Sequence, residues 1–203
     1  MAESGNLYVI AAPSGTGKTT LVKALVESLP KMTVSVSHTT RPKRPNEMQG
    51  MNYYFIDKAE FEHMTAEHAF LEYATIFDHY YGTSKQWVEE TLAKGIDVVL
   101  EIDWQGHQQI KRLYPHSISI FILPPSMQDL EDRLKKRNQD DLKIIQKRLK
   151  DAKTTVSHIH EFDYVVINDD FAKALHDLQI IVEAGRLLER RQVEKFNKLI
   201  KNL

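Results

Sequence analysis

Cysteine is absent from all 203 residues, which excludes disulfides, thiolate metal sites and a cysteine nucleophile. That absence suits a reducing compartment. No apolar run approaches the ~20 residues needed to cross a bilayer, and Met1 to Asn6 is too short and polar for a secretory signal. The expectation is a soluble, cytoplasmic protein without a membrane partner. A dominant charge is also missing: a formal net charge of −1 leaves no global footprint for nucleic acid, so none is expected as a partner. Internal repeats and low-complexity linkers are lacking too. With 42% hydrophobic and 27% charged residues, the chain has the composition of a folded domain, not of a disordered one.

The most informative stretch lies near the start. Leu7-Tyr8-Val9-Ile10-Ala11-Ala12 reads as a buried strand, Pro13-Ser14-Gly15-Thr16-Gly17-Lys18-Thr19-Thr20 as a tight loop, and Leu21-Val22-Lys23-Ala24-Leu25-Val26 as an amphipathic helix. The phosphate-binding loop pattern asks for Gly, four residues, then Gly-Lys-Ser/Thr. Ala12 to Thr19 meets every position except the first. An ordinary glycine-rich turn is the plainer alternative, but such a turn needs neither Lys nor Thr after its last Gly. A strand, a loop and a helix start in this order aim free backbone N–H groups and a positive helix end at one anion. Lys18 would reach the outer phosphates of a nucleotide, and the Thr19 hydroxyl would ligate Mg²⁺.

Beyond Leu29-Pro30, where the first helix should stop, Val34 to Ser37 alternates like a short strand and runs into His38-Thr39-Thr40-Arg41-Pro42-Lys43-Arg44-Pro45. Two prolines hold that segment extended. Its cations suit a phosphate gripped from an irregular loop, or simply a solvated basic loop. Tyr53 to Ile56 reads as a strand, Asp57 to Glu60 as a capping box, and Phe70 to Phe77 as a strand carrying Glu72, which would ordinarily face solvent. Ser84 caps a helix from Lys85 to Ala93. Ile96 to Asp103 is a strand ending in acids, which in a central parallel strand would stand beside the phosphate loop and place Asp103 at Mg²⁺, directly or through water. A helix from Gly106 to Leu113, a buried strand from Ile118 to Leu123 and a capping box at Ser126 to Asp129 follow.

On the next helix Arg133 and Arg137 share a face, and the polar break Asn138-Gln139-Asp140-Asp141 suggests a lid that brings guanidinium groups over a transferring phosphate. His158-Ile159-His160 lacks the further ligands of a metal site. The last strand is Tyr164 to Ile167, and a long helix is expected from Phe171 to the end, with Arg186, Arg190 and Arg191 on a solvated face. Strands alternating with helices predict an α/β fold, a parallel sheet flanked by helices. Between Val34 and Thr83 the strands crowd together, which predicts a small mixed α+β insertion able to hold an acceptor.

Five segments together, Ala12 to Thr19, Ser37 to Arg44, Tyr80-Tyr81-Gly82-Thr83-Ser84, Glu101-Ile102-Asp103-Trp104-Gln105-Gly106 and Val166-Ile167-Asn168-Asp169-Asp170, resemble guanylate kinases in order along the chain. The resemblance implies a single domain of the P-loop NTPase fold, with a core at about 1–34, 84–125 and 160–203, a GMP-binding insertion at about 35–83 and a helical lid at about 126–159. It implies MgATP-dependent phosphoryl transfer to GMP, with ATP held by Ala12, Pro13, Ser14, Gly15, Thr16, Gly17, Lys18, Thr19 and Asn168. Ser37, Glu72, Thr83 and Glu101 match positions that read guanine, and Arg41, Arg44, Tyr53 and Tyr81 match those that hold its phosphate. Lys18, Arg41 and the lid arginines Arg133, Arg137 and Arg148 match catalytic positions. A phosphopeptide-binding scaffold of the same family is the competing reading; a GTPase is disfavoured, since no Asn/Thr-Lys-x-Asp segment is present.

The residue chemistry points the same way. Guanine offers donors at N1 and N2 and an acceptor at O6, so a carboxylate takes the donors; adenine would leave that carboxylate facing an acceptor. The attacking phosphate of GMP is already anionic. No general base is needed, and catalysis reduces to alignment and charge neutralisation.

Overall fold

A computed structural model describes residues 4–76, 78–136 and 142–202. Among these, the core sheet has five parallel strands in the order β2-β7-β1-β8-β9. They are β1 (Leu7–Ala11), β2 (Met32–Val34), β7 (Asp97–Glu101), β8 (Ile118–Leu123) and β9 (Tyr164–Ile167). β1 is central, pairing with β7 through Leu7↔Val98 to Ile10↔Glu101 and with β8 through Tyr8↔Ile118 to Ala11↔Phe121. Every residue of β1 is buried. This is why its sequence is an unbroken apolar run: helices cover both faces of a parallel sheet.

On one face, α1 (Lys18–Ser28) and α7 (Phe171–Arg186) pack Leu21, Val22, Leu25, Leu178 and Val182 against Tyr8, Ile10 and Ile120. On the other, α3 (Lys85–Ala93) and α4 (Trp104–Leu113) pack Val88, Leu92 and Ile110 against Val9, Val98 and Leu100. A second sheet, in the order β4-β3-β6-β5, is built from β3 (His38–Thr39), β4 (Tyr54–Phe55), β5 (Phe70–Ile76) and β6 (His79–Ser84), with α2 (Lys58–Ala66) between β4 and β5. Its pairing is mixed: β3 runs parallel to β4 and antiparallel to β6, and β5 and β6 form a hairpin. α5 (Met127–Lys136) and α6 (Leu142–Ser157) share a small core of Leu130, Leu134, Ile145 and Ala152.

Several local expectations shift. The strand expected at Val34 to Ser37 lies earlier, at Met32–Val34, where parallel pairing with β7 fixes its register. α4 starts at Trp104 and not at Gly106, because Asp103 caps it by accepting from the Gly106 N–H at 3.0 Å. The long terminal helix is broken: α7 ends at Arg186, and α8 (Glu189–Lys195) and α9 (Asn197–Ile200) follow. Arg186 and Arg191 are not on a solvated face. Arg186 Nε and Arg191 Nη1 each donate to the buried Asp97 carboxylate at 2.8 Å, and the Asn6 N–H joins them at 2.7 Å. This network ties the C-terminal helices to the edge of the sheet remote from the phosphate loop. Among the described residues no helix is long and apolar enough to cross a membrane.

Candidate active site

The carboxyl ends of β1, β7 and β9 meet at one rim of the core sheet, the usual binding edge of an open α/β sheet. β1 delivers the loop Ala12 to Gly17. Gly15 and Gly17 hold φ of 98° and 89°, left-handed values at which a side chain would be strained. Non-glycine residues described with positive φ are Lys31, His68 and Asp78; Ala12 is not among them, so its methyl group costs the loop nothing. Thr16 closes the turn on itself, its Oγ1 donating to the Pro13 carbonyl at 2.8 Å. β9 delivers Asn168, buried, whose Nδ2 donates to the Thr16 carbonyl at 2.6 Å. The loop is thus braced from the far side of the sheet.

Arg133, on α5, is already docked on this loop. Its Nη1 donates to the Thr16 carbonyl at 3.3 Å and its Nη2 to the Asn168 carbonyl at 2.9 Å. A cleft of about 350 Å³ beside it is lined by Gly15, Gly17, Thr20, Arg133, Lys136, Asn168 and Phe171. Lys136, Thr20 and Phe171 have no sequence signature that would have singled them out. Arg148 is half-buried on α6, and Arg137 lies outside the described residues.

Lys18 opens α1 at the centre of the rim. Burial pulls its pKa below the ordinary lysine value, against the opposing pull of Glu101, Asp103 and Glu72. All three carboxylates therefore act electrostatically on one ammonium group. They are not equivalent. Thr19 Oγ1 donates to Glu101 Oε2 at 2.9 Å, so Glu101 faces the phosphate-loop side of the cleft. Asp103 spends both oxygens locally, Oδ1 on the Gly106 N–H and Oδ2 on the Gln105 side chain at 3.0 Å. Its charge is nevertheless felt by Glu72.

Glu72 does not face solvent. It is 4% exposed, and Thr83 Oγ1 donates to its Oε1 at 2.5 Å. Desolvation pushes its pKa up to about 7, the Thr83 hydrogen bond working the other way. Among the described residues Thr83 is its one hydrogen-bond donor, and a buried carboxylate can accept several.

The remaining residues expected to hold an acceptor lie in or beside β3, β4 and β6. Arg41 packs over the Tyr53 ring at 5.4 Å, Tyr81 is a further side-chain partner of its guanidinium, and Tyr53 meets Tyr81 edge to face at 5.9 Å. Burial raises the Tyr53 pKa, with Tyr81 and Glu101 adding to it. Ser37 is half-buried and its carbonyl accepts from the Tyr54 N–H at 2.9 Å; Arg44 is exposed. One partner escaped the sequence reading. Glu47 Oε1 accepts from Arg41 Nη2 at 2.7 Å, and this bond raises the Arg41 pKa while holding Glu47 below the ordinary carboxylate range. Glu47 occupies the guanidinium as a phosphate would.

The family model described as guanylate kinase matches residues 4–185. The chain belongs to the guanylate kinase family. A guanylate kinase of Methylococcus capsulatus is 56% identical over 199 residues, covering 98% of both chains. One of Saccharophagus degradans is 51% identical over 203 residues, covering 100% of this chain and 99% of the relative. Among solved structures, the guanylate kinase of Anaplasma phagocytophilum superposes with a TM-score of 0.79 at 32% identity, covering 93% of this chain and 90% of that one. The parallel sheet and its flanking helices are thus the guanylate kinase fold.

Proposed function

We propose that the protein is a nucleoside monophosphate kinase that moves the γ-phosphoryl group of ATP to GMP, giving GDP and ADP. The observation that carries this reading is the pairing of two built features: the loop Ala12 to Gly17, braced at its Thr16 carbonyl by Asn168 and Arg133, and the buried Glu72, held at Oε1 by Thr83. ATP phosphates would take the loop N–H groups and Lys18, with the nucleoside part along the cleft of Phe171 and Lys136. Guanine would donate to Glu72, and the GMP phosphate would displace Glu47 from Arg41, with Tyr53 and Tyr81 beside it.

Thr19 and Glu101 offer adjacent hard oxygens, which fit Mg²⁺ and would hold it there. This assigns Glu101 to the metal side, where the resemblance had it reading guanine, while Asp103, expected at Mg²⁺, has both oxygens accepting within its own turn. Bound there with ATP, Mg²⁺ supplies charge neutralisation at the β- and γ-phosphates. Lys18 and Arg133 neutralise the transferring group, and the loop N–H groups hold it in line with the acceptor oxygen. Since that oxygen is already anionic, no side chain has to remove a proton.

An assay of ADP release with GMP, AMP, CMP and UMP as acceptors tests the reading. GMP should be the acceptor used, and turnover should be lost in Lys18→Ala. Equal or better use of AMP overturns the guanine assignment.

A further inference from the structure

We infer that one face of α4, through Gly106 and Gln109, positions the Glu72 carboxylate and thereby sets the base preference of the acceptor site. The inference rests on Glu72 as the guanine-binding group. Gly106 lies in the first turn of α4. A Cβ built on it would stand 2.4 Å from Glu72 Oε2, closer than such atoms approach one another, and 3.1 Å from Glu72 Cδ, a tight contact. A side chain at this position would force the carboxylate to shift from where it rests against the helix. The Gly106 backbone is helical, so the requirement is one of space and not of φ.

Gln109 stands on the same face one turn later. Its Nε2 donates to the Tyr73 carbonyl at 2.7 Å and its Oε1 accepts from the Tyr73 N–H at 3.2 Å. The side-chain amide thus pairs with the outer edge of β5 as a neighbouring strand would, at the residue directly after Glu72. The pairing of β5 with β6 also shifts register between Phe70 and Glu72, an irregularity that turns the intervening side chains. Without an outer partner that irregular strand would be free to relax.

Three contacts therefore fix one carboxylate. Thr83 holds Oε1, Gly106 receives Oε2, and Gln109 clamps the backbone from which the side chain springs. Gly106 and Gln109 are positioning residues; their effect reaches the base through Glu72.

Steady-state kinetics with GMP and with IMP, which lacks the 2-amino group, test this in Gly106→Ala, Gln109→Ala, Gln109→Glu and Glu72→Gln. The α4 variants should raise the KM for GMP on the order of tenfold and shrink the GMP-over-IMP ratio of kcat/KM, with the KM for ATP within about twofold. Gln109→Glu keeps the length and loses the donor to the Tyr73 carbonyl, so it should behave as Gln109→Ala. Gln109 is half-buried and its variants decide alone where Gly106→Ala fails to fold. If Glu72→Gln shrinks the preference and the α4 variants do not, the positioning role is overturned while base reading stands. If Glu72→Gln leaves the preference intact, base reading itself fails. A lowered thermal midpoint with unchanged preference reduces Gly106 and Gln109 to structural residues and overturns the inference.

Discussion

Thr19 Oγ1 and Glu101 Oε2 stand 2.9 Å apart, joining the first turn of α1 to the last residue of β7. Two hard oxygen donors at the mouth of a phosphate loop favour a role at Mg²⁺ over a role at the base. Glu101→Gln should raise the Mg²⁺ concentration for half-maximal activity by about tenfold, since an amide is a far weaker ligand for a hard cation than a carboxylate. The KM for GMP should stay within about twofold. Titration of activity against Mg²⁺ at saturating substrates reads the effect. A shift confined to the KM for GMP would return Glu101 to the guanine-reading set.

The carboxyl group of Glu72, with its pKa pushed up to about 7, gives the proposed guanine contact a pH signature. A guanine that donates to Glu72 needs the ionised form. In the free enzyme kcat/KM for GMP should therefore rise as pH increases through about 7 and level off above it. In Glu72→Gln that rise should be lost, leaving only the titration of the GMP phosphate itself. The stability effect has the opposite sense. The folded state holds the Glu72 proton more tightly than the unfolded one, so stability falls as pH rises from the ordinary Glu pKa of 4.5 to about 7. The contribution is on the order of 3 kcal/mol, and thermal melts of the native protein and Glu72→Gln across that range should diverge accordingly.

Elements fixed by local chemistry were legible in the chain. The apolar run Leu7–Ala11, the loop glycines and the caps at Asp57 and Ser84 act over a few residues, and each stands where its sequence pattern puts it. What sequence alone missed depends on distant partners. Glu72 faces inward because α4 lies against β5, and Gln109 is 36 residues away from the strand it clamps. Arg186 and Arg191 read as solvated cations because their acceptor, Asp97, lies 89 and 94 residues earlier. Glu101 and Asp103 are two residues apart on one chain segment, so alternation gives them a common face. The chain leaves the strand at Ile102, and Asp103 turns into the cap of α4 while Glu101 stays with Thr19.

Asp97 sets the stability of the sheet edge opposite the nucleotide cleft. Its side chain is 2% exposed and accepts from two guanidinium groups and one backbone N–H. Asp97→Ala leaves two cations without that acceptor, which should cost about 3–5 kcal/mol. Urea unfolding should show a lower midpoint with an unchanged slope, and KM values at a temperature where the variant is folded should match the native ones. A loss below about 1 kcal/mol would mean that solvent replaces the network.

Arg133 combines two hydrogen bonds to backbone carbonyls with a position over the phosphate loop. Arg133→Lys keeps the charge and loses the fork, since one ammonium on a flexible stem does not reproduce two fixed N–H directions toward Thr16 and Asn168. If the guanidinium acts on the transferring phosphoryl group, kcat should fall on the order of 10²-fold while the KM values for ATP and GMP change little, because the contact strengthens in the transition state. Asn168→Ala provides the contrast. It removes the 2.6 Å brace on the Thr16 carbonyl without removing a cation, so it should raise the KM for ATP and spare kcat. Equal losses in kcat for the two variants would assign Arg133 to bracing the loop and remove it from the chemistry.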